Sequence, residues 1–259
     1  MTPDTLFLLS AGLLGLVMGS AVTAIAYRVP RHLSWVHGRS ACPACGHPLG
    51  LADLFPFVSW LLLLGRCRYC RERIPFRYPL TELLCAAWAV LLYRRIGLGW
   101  DYPLLALWGF ILVALMWIDL DFQLLPDVLT FPGTLIALAA ALQWPDGARS
   151  AMLGMALGSG LLALLAWAYR RVRGIEGMGG GDIKLAAMFG AVLGWRLALL
   201  TLFLAALTGS LWGLALMARH RGDGKTPLPF GTLLAPAALI SFLWGEAWMQ
   251  AYFTAVFGR

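Results

Sequence analysis

The sequence predicts an all-α polytopic membrane protein of about eight transmembrane helices, with one long cytosolic loop folded as a domain of its own. Three observations predict it. The 259 residues are 60% hydrophobic and only 13% charged, with a mean hydropathy of +0.76. A soluble domain carries about 25% charged residues, so lipid must replace water over much of this surface. Second, apolar runs recur along the chain at lengths suited to helices in a bilayer, where about 20 residues span the hydrocarbon core. Third, the cations are unevenly shared between alternate connecting segments, which fixes an orientation.

The apolar runs cover residues 6–27, 80–93, 102–118, 128–142, 151–169, 183–195, 197–217 and 233–253. Several are short and borrow interfacial residues to complete a span. Residues 51–64 are also apolar, but Asp53 and Pro56 interrupt them, and an interfacial or folded loop segment is expected there. The first run is not read as a secretory signal. Such a signal has cations before its apolar core, whereas here Asp4 precedes the run and Arg28 and Arg31 follow it. A retained helix with its N-terminus outside the cytosol is expected.

On that topology residues 28–79, 119–127, 170–182 and 218–232 face the cytosol. The first segment holds Arg28, Arg31, Arg39, Arg66, Arg68, Arg71, Arg73 and Arg77. The later ones add Arg170, Arg171 and Arg173, with Lys184 just beyond, and then Arg219, Arg221 and Lys225. Only Arg94, Arg95, Arg149, Arg196 and Arg259 fall on the other side. The asymmetry obeys the positive-inside rule. The organisation expected is a first helix at 1–27, a cytosolic loop domain at 28–79 and a membrane domain at 80–259.

A loop as long as 28–79 carries structure or function of its own. It holds Cys42-Pro-Ala-Cys45 and Cys67-Arg-Tyr-Cys70. Two such knuckles supply four thiolates to a tetrahedral structural Zn2+. The rival reading, a pair of disulfides, fits poorly in the cytosol. A redox dithiol lacks the βαβ context that goes with it. A loop of this size has too little core to fold alone, and metal binding supplies the missing free energy. His37 and His47 are read as surface residues, and Cys85, inside an apolar run, as a buried small hydrophobe.

The carboxylates concentrate in two places. Residues 118–127 read Ile-Asp-Leu-Asp-Phe-Gln-Leu-Leu-Pro-Asp, directly after an apolar run. Residues 177–184 read Gly-Met-Gly-Gly-Gly-Asp-Ile-Lys and open the next cytosolic-side helix. Ionisable groups at membrane depth point to function. Two carboxylates held close share one proton, which is how an aspartic peptidase works. The ionised member takes a proton from water, and the protonated member polarises the scissile carbonyl. The run Gly179–Gly181 admits close backbone approach, so an extended substrate would lie along it. Simpler roles compete. Asp182 would also serve as a helix N-cap, and Asp127 fits that role better than any other. Asp121 is either a solvated loop acid or tunes its neighbour. Asp119 sits on the last turn of its helix, where the dipole disfavours an anion, so its presence there asks for a reason.

Gly179-Gly-Gly-Asp182 resembles the GxGD signature of membrane aspartic proteases. With Asp119-x-Asp121-x-x-x-Leu-Pro-Asp127 it is similar to the bacterial type IV prepilin peptidases. Further marks are Gly19-Ser20 with Tyr27-Arg28-Val29-Pro30, the two cysteine knuckles, Arg77-Tyr78-Pro79-Leu80 with Glu82, and Pro229-Phe230-Gly231. The resemblance implies Asp119 and Asp182 as the catalytic pair. It implies cleavage after glycine, between a short basic leader and the apolar helix of a type IV prepilin or pseudopilin. It also implies N-methylation of the new N-terminus from S-adenosylmethionine, an activity tied to the cytosolic loop, where no Gly-rich nucleotide loop is visible. The implied location is the bacterial inner membrane, with the active site facing the cytosol. The chain has Thr23 where the family often has Asn, and Thr232 where it often has Pro. Two rival classes explain less. A transporter would place its acids at the bilayer midplane, not at helix ends. A membrane-tethered scaffold that binds nucleic acid through its arginines leaves the GxGD helix unexplained.

Overall fold

The computed structural model describes residues 2–35, 39–50, 52–175, 178–218 and 228–258. His37, Gly177, Arg219, Arg221 and Lys225 lie outside the described residues. The chain divides into two compact units, Met1–Tyr102 and Pro103–Arg259.

In the first unit, α1 (Pro3–Arg28) and α3 (Arg77–Ile96) pack together. Pro3 starts α1, where its missing N–H costs nothing, and the Thr2 hydroxyl caps the Thr5 amide. The contact runs along Ala11, Gly15 and Gly19, all buried and spaced one turn apart. A Cβ at Gly15 would lie 2.5 Å from Ala86 Cα, and one at Gly19 2.5 Å from Glu82 Cα. Small residues at this spacing let helix backbones touch where lipid gives no hydrophobic push. The far end is tied by the Tyr93 hydroxyl, which donates to Asp4 Oδ1 at 2.9 Å.

The segment between α1 and α3 contains the short helix α2 (Val58–Leu62) and two knuckles of matching build. In the first, Ala41 pairs with Pro48, and the Cys42 amide donates to His47 O at 3.0 Å. In the second, Arg66 pairs with Arg73, and the Cys67 amide donates to Glu72 O at 2.8 Å. Each turn closes through a left-handed residue, Gly46 at φ 71° and Arg71 at φ 61°. The His47 and Tyr69 rings, one from each knuckle, meet with centroids 3.6 Å apart and planes tilted by 32°.

The second unit comprises α4 (Asp101–Phe122, from Pro103 on), α5 (Asp127–Ala141), α6 (Gly147–Arg173), α7 (Gly180–Ala218), α8 (Gly231–Ile240) and α9 (Glu246–Phe257). One π-helical turn, Ser241–Gly245, joins the last two. Helices α6 and α7 meet backbone to backbone. A Cβ on Gly154 would collide with the Gly190 carbonyl, and one on Gly190 with the Gly154 carbonyl. Gly194, at φ 65° and ψ 176°, breaks α7. The runs expected at 183–195 and 197–217 are therefore the two halves of one interrupted helix.

Each apolar run expected from the sequence lies in a helix. Among the described residues five helices are long and apolar enough to cross a membrane: 3–31, 101–122, 147–173, 180–218 and 231–257. Two others coincide with expected spans. Helix α3 carries Arg77, Glu82, Arg94 and Arg95, and α5 has only 15 residues, about 22 Å of rise.

Candidate active site

Asp119 lies in the last turn of α4 and is 4% exposed. The reason for an anion at this helix end comes from another helix. Thr232, the second residue of α8, donates its backbone N–H to Asp119 Oδ2 at 2.7 Å. Its hydroxyl stands 3.1 Å from the same oxygen and 3.2 Å from Met116 O, so one hydrogen serves one acceptor at a time. The carboxylate thus fills the open amide end of α8, where a helix dipole favours negative charge. Gly231 makes the approach feasible. A Cβ there would lie 3.0 Å from Asp119 Cγ and 3.1 Å from Leu125 Cδ1.

Leu125 connects this corner to the glycine run. A Cβ on Gly181 would lie 2.9 Å from Leu125 Cβ, so Gly181 and Gly231 both abut one buried side chain. Asp182 follows Gly181 in the first turn of α7 and lies within electrostatic reach of Asp119. The helix begins at Gly180, two residues before Asp182. Asp182 is therefore an interior residue of the first turn and not the N-cap. Gly180 and Gly181 are helical too, which leaves Gly179 as the one residue of the run outside the helix.

Asp127 does not cap α5 through its side chain. Pro126 occupies the cap position, and Asp127 Oδ1 instead takes Lys184 Nζ at 2.6 Å. The Lys184 ammonium also stands 5.5 Å from the centre of the Phe131 ring. Asp121 is exposed. Sequence reasoning missed Thr232 as a partner of Asp119. The Pro229-Phe230-Gly231 motif was its nearest signal.

The four knuckle cysteines form a separate centre in the first unit. All are free thiols, and the sulphurs of Cys42, Cys45, Cys67 and Cys70 lie within 4.8 Å of one another. Cys42 Sγ and Cys70 Sγ are 3.8 Å apart. Four sulphurs about 2.3 Å from a tetrahedral Zn2+ stand about 3.8 Å from each other, so this donor set fits that ion. The backbone N–H of Cys45, helped by that of Ala44, pulls the Cys42 thiol down to about 7. Nearby, Asp53 accepts from Arg68 Nε at 2.6 Å, Tyr69 Oη at 3.1 Å and the Gly50 amide at 3.1 Å. The Arg68 bond holds its carboxyl below the usual range.

Fold and site together define a polytopic helical membrane protein with an acid pair in one unit and a four-thiol centre in the other. Residues 13–96 match the family model described as Bacterial Peptidase A24 N-terminal domain, and residues 104–214 match that of the Type IV leader peptidase family. Similar relatives include a prepilin leader peptidase/N-methyltransferase of Aeromonas salmonicida, 40% identical over 84% of this chain and 75% of its own length. One from Pseudomonas aeruginosa is 35% identical over 95% of this chain and 93% of its own length, and one from Bacillus subtilis 32% over 94% and 97%. No solved structure matches. The chain belongs to the type IV leader peptidase family.

Proposed function

We propose that this chain is a membrane aspartic endopeptidase that removes the short basic leader of type IV prepilins or pseudopilins after glycine, and then N-methylates the new N-terminal residue. The observation that carries the peptidase reading is the convergence of Asp119 and Asp182 through Leu125, Gly181 and Gly231. The donors from Thr232 suit a carboxylate at Asp119, which takes the proton from water as that water attacks the scissile carbonyl. Asp182 holds the shared proton, polarises the carbonyl oxygen and supplies the proton for the leaving amine. An oxygen–hydrogen bond of water breaks, the carbon–oxygen bond forms, and the carbon–nitrogen bond of the peptide is lost.

The substrate runs past Gly179, which lies just outside the first turn of α7. Asp121 and Asp127, the latter also holding Lys184 Nζ at 2.6 Å, attract the leader's cations. Cys42, Cys45, Cys67 and Cys70 hold a structural Zn2+ that replaces the missing core of the loop. S-adenosylmethionine supplies the methyl group, carried on a sulfonium. We assign residues 1–27 to the first span, 28–79 to the cytosolic loop domain and 80–259 to the peptidase part. The spans number eight once α3, α5 and both halves of α7 are included. The chain sits in the bacterial inner membrane with the acid pair at its cytosolic rim.

The test is processing of a co-expressed prepilin by Asp119→Asn and Asp182→Asn variants. Each is expected to lose cleavage by at least a thousandfold (about 4 kcal/mol of barrier). Full cleavage by either well-folded variant overturns the assignment.

A further inference from the structure

Between the two knuckles the chain is more apolar than a loop in water can use. Helix α2 turns Val58, Leu61 and Leu62 outward, at the i, i+3, i+4 spacing that puts side chains on one helix face. Phe55 before the helix, Leu64 after it and Phe76 are exposed as well. Phe76 joins the group in space, because its ring meets that of Trp60 edge-on with centroids 5.7 Å apart. Leu62 is 77% exposed and Leu64 83%. A contiguous exposed apolar patch marks a protein partner or a membrane surface.

Leu64 carries a further cost. At φ 51° it lies in the left-handed region, which a bulky residue adopts only under constraint. The constraint is the turn that ends α2. The Leu64 amide donates to Leu61 O at 3.1 Å and the Gly65 amide to Trp60 O at 2.8 Å. Glycine or asparagine would hold this turn at less cost. The leucine side chain therefore answers to something outside the turn.

The level of α2 is set by its neighbours. The Phe57 amide donates to Oε2 of Glu82, in the second turn of α3, at 2.7 Å. Trp60 Nε1 donates at 3.1 Å to Ile74 O, three residues before α3 begins. Helix α2 thus lies beside the first turns of α3. Glu82 in turn backs onto Gly19 of α1. Gly19 is nine residues short of Arg28, the first cation of that helix, or about 13 Å of rise. One glutamate side chain and one hydrogen bond span less than that. The start of α2 is therefore held on the lipid side of Arg28.

Arginines flank the same stretch. From Leu54 to Arg77 the chain has Arg66, Arg68, Arg71, Arg73 and Arg77 against one acid, Glu72. Arg68 is bonded to Asp53, while Arg66, Arg71 and Arg73 are exposed on the second knuckle. An apolar face bordered by arginines is the composition of an anchor lying in the membrane plane. It complements the anionic headgroups of the cytosolic leaflet. A protein partner would account for the apolar residues but not for their being fixed at this depth.

We propose that α2 and its flanking turns form an interfacial anchor, which seats the cysteine loop on an anionic lipid surface. Val58, Leu61, Leu62 and Leu64 enter the acyl boundary, and Arg66, Arg71 and Arg73 meet lipid phosphates. The anchor rests on α1 and α3 crossing the bilayer and is independent of the peptidase and methyltransferase readings.

The experiment places a nitroxide at Leu62 through p-acetylphenylalanine, which leaves every cysteine untouched. The full chain is reconstituted in nanodiscs of phosphatidylcholine and phosphatidylglycerol. Power saturation in oxygen and in a water-soluble nickel chelate reads the depth of the label, and a second label at Val17 of α1 marks the lipid. The oxygen-to-nickel accessibility ratio at Leu62 is expected to exceed that of the free nitroxide in buffer about tenfold. It should fall by about half when phosphatidylcholine replaces all the phosphatidylglycerol. A buffer-like ratio at Leu62 beside a lipid-like one at Val17 overturns the anchor alone. Buffer-like ratios at both positions remove the membrane reading of α1 with it. A Leu62 label that loses nickel contact only when a pilin helix peptide is added makes the face a protein-docking surface and overturns the proposal. A ratio indifferent to phosphatidylglycerol overturns the role given to the arginines.

Discussion

An aspartate on the last turn of a helix is an unfavourable placement read alone. Asp119 is explained only by Thr232, which delivers an amide and a hydroxyl from the start of α8. The sequence showed the anomaly, but the remedy lies 113 residues away, and no periodicity or spacing reaches that far. The same limit applied to Asp127. Its position after proline suggested a cap, whereas a cation from α7 claims the side chain. A proline at position 232 would have no N–H to give. Thr232→Pro is therefore expected to lower kcat for prepilin cleavage about tenfold with little change in KM, since a hydrogen bond to a charged group contributes about 1.5–3 kcal/mol. Thr232→Ser keeps both donors and should restore the wild-type rate. A time course of leader removal at several substrate levels separates the two parameters.

Elements were more legible than contacts. The apolar runs located the helices because lipid demands a continuous apolar surface, and the knuckle spacing located two turns of one design. Less legible was the behaviour of glycine. Gly179–Gly181 was expected to admit close backbone approach along its length, yet two of its three residues open a helix. Gly194 instead carries the break. Gly154 and Gly190 sit where the helix axes nearly touch, so Gly190→Leu is expected to lower the melting temperature sharply in detergent. Gly160→Leu, whose added Cβ would meet nothing within 4 Å, should leave it unchanged. In the knuckles, Arg71 holds a left-handed conformation that Gly46 adopts without penalty. Arg71→Gly is expected to stabilise the loop by about 1 kcal/mol, read as a higher denaturant midpoint for metal release.

At the scale of the whole molecule, one unit holds the four-thiol cluster and the other the acid pair, and the family models meet the chain in the same two stretches. Composition alone announced a membrane protein, and the cysteine spacing announced a cluster of four thiols that could hold a metal. The division near residue 102 was not visible, because it falls inside the continuous helix α4. One zinc per chain is expected from elemental analysis of the purified protein, falling towards none in Cys67→Ser. Undiminished zinc in that variant would place the metal elsewhere.

The bond between Thr232 and Asp119 also sets an order of events. Chains are made from the N-terminus onward and fold in that direction as they emerge. Asp119 and Asp182 are therefore synthesised well before the amide that holds Asp119 in place. The ribosome supplies that amide 113 residues after Asp119. A nascent chain already inserted in the membrane thus carries both aspartates before the clasp on Asp119 exists.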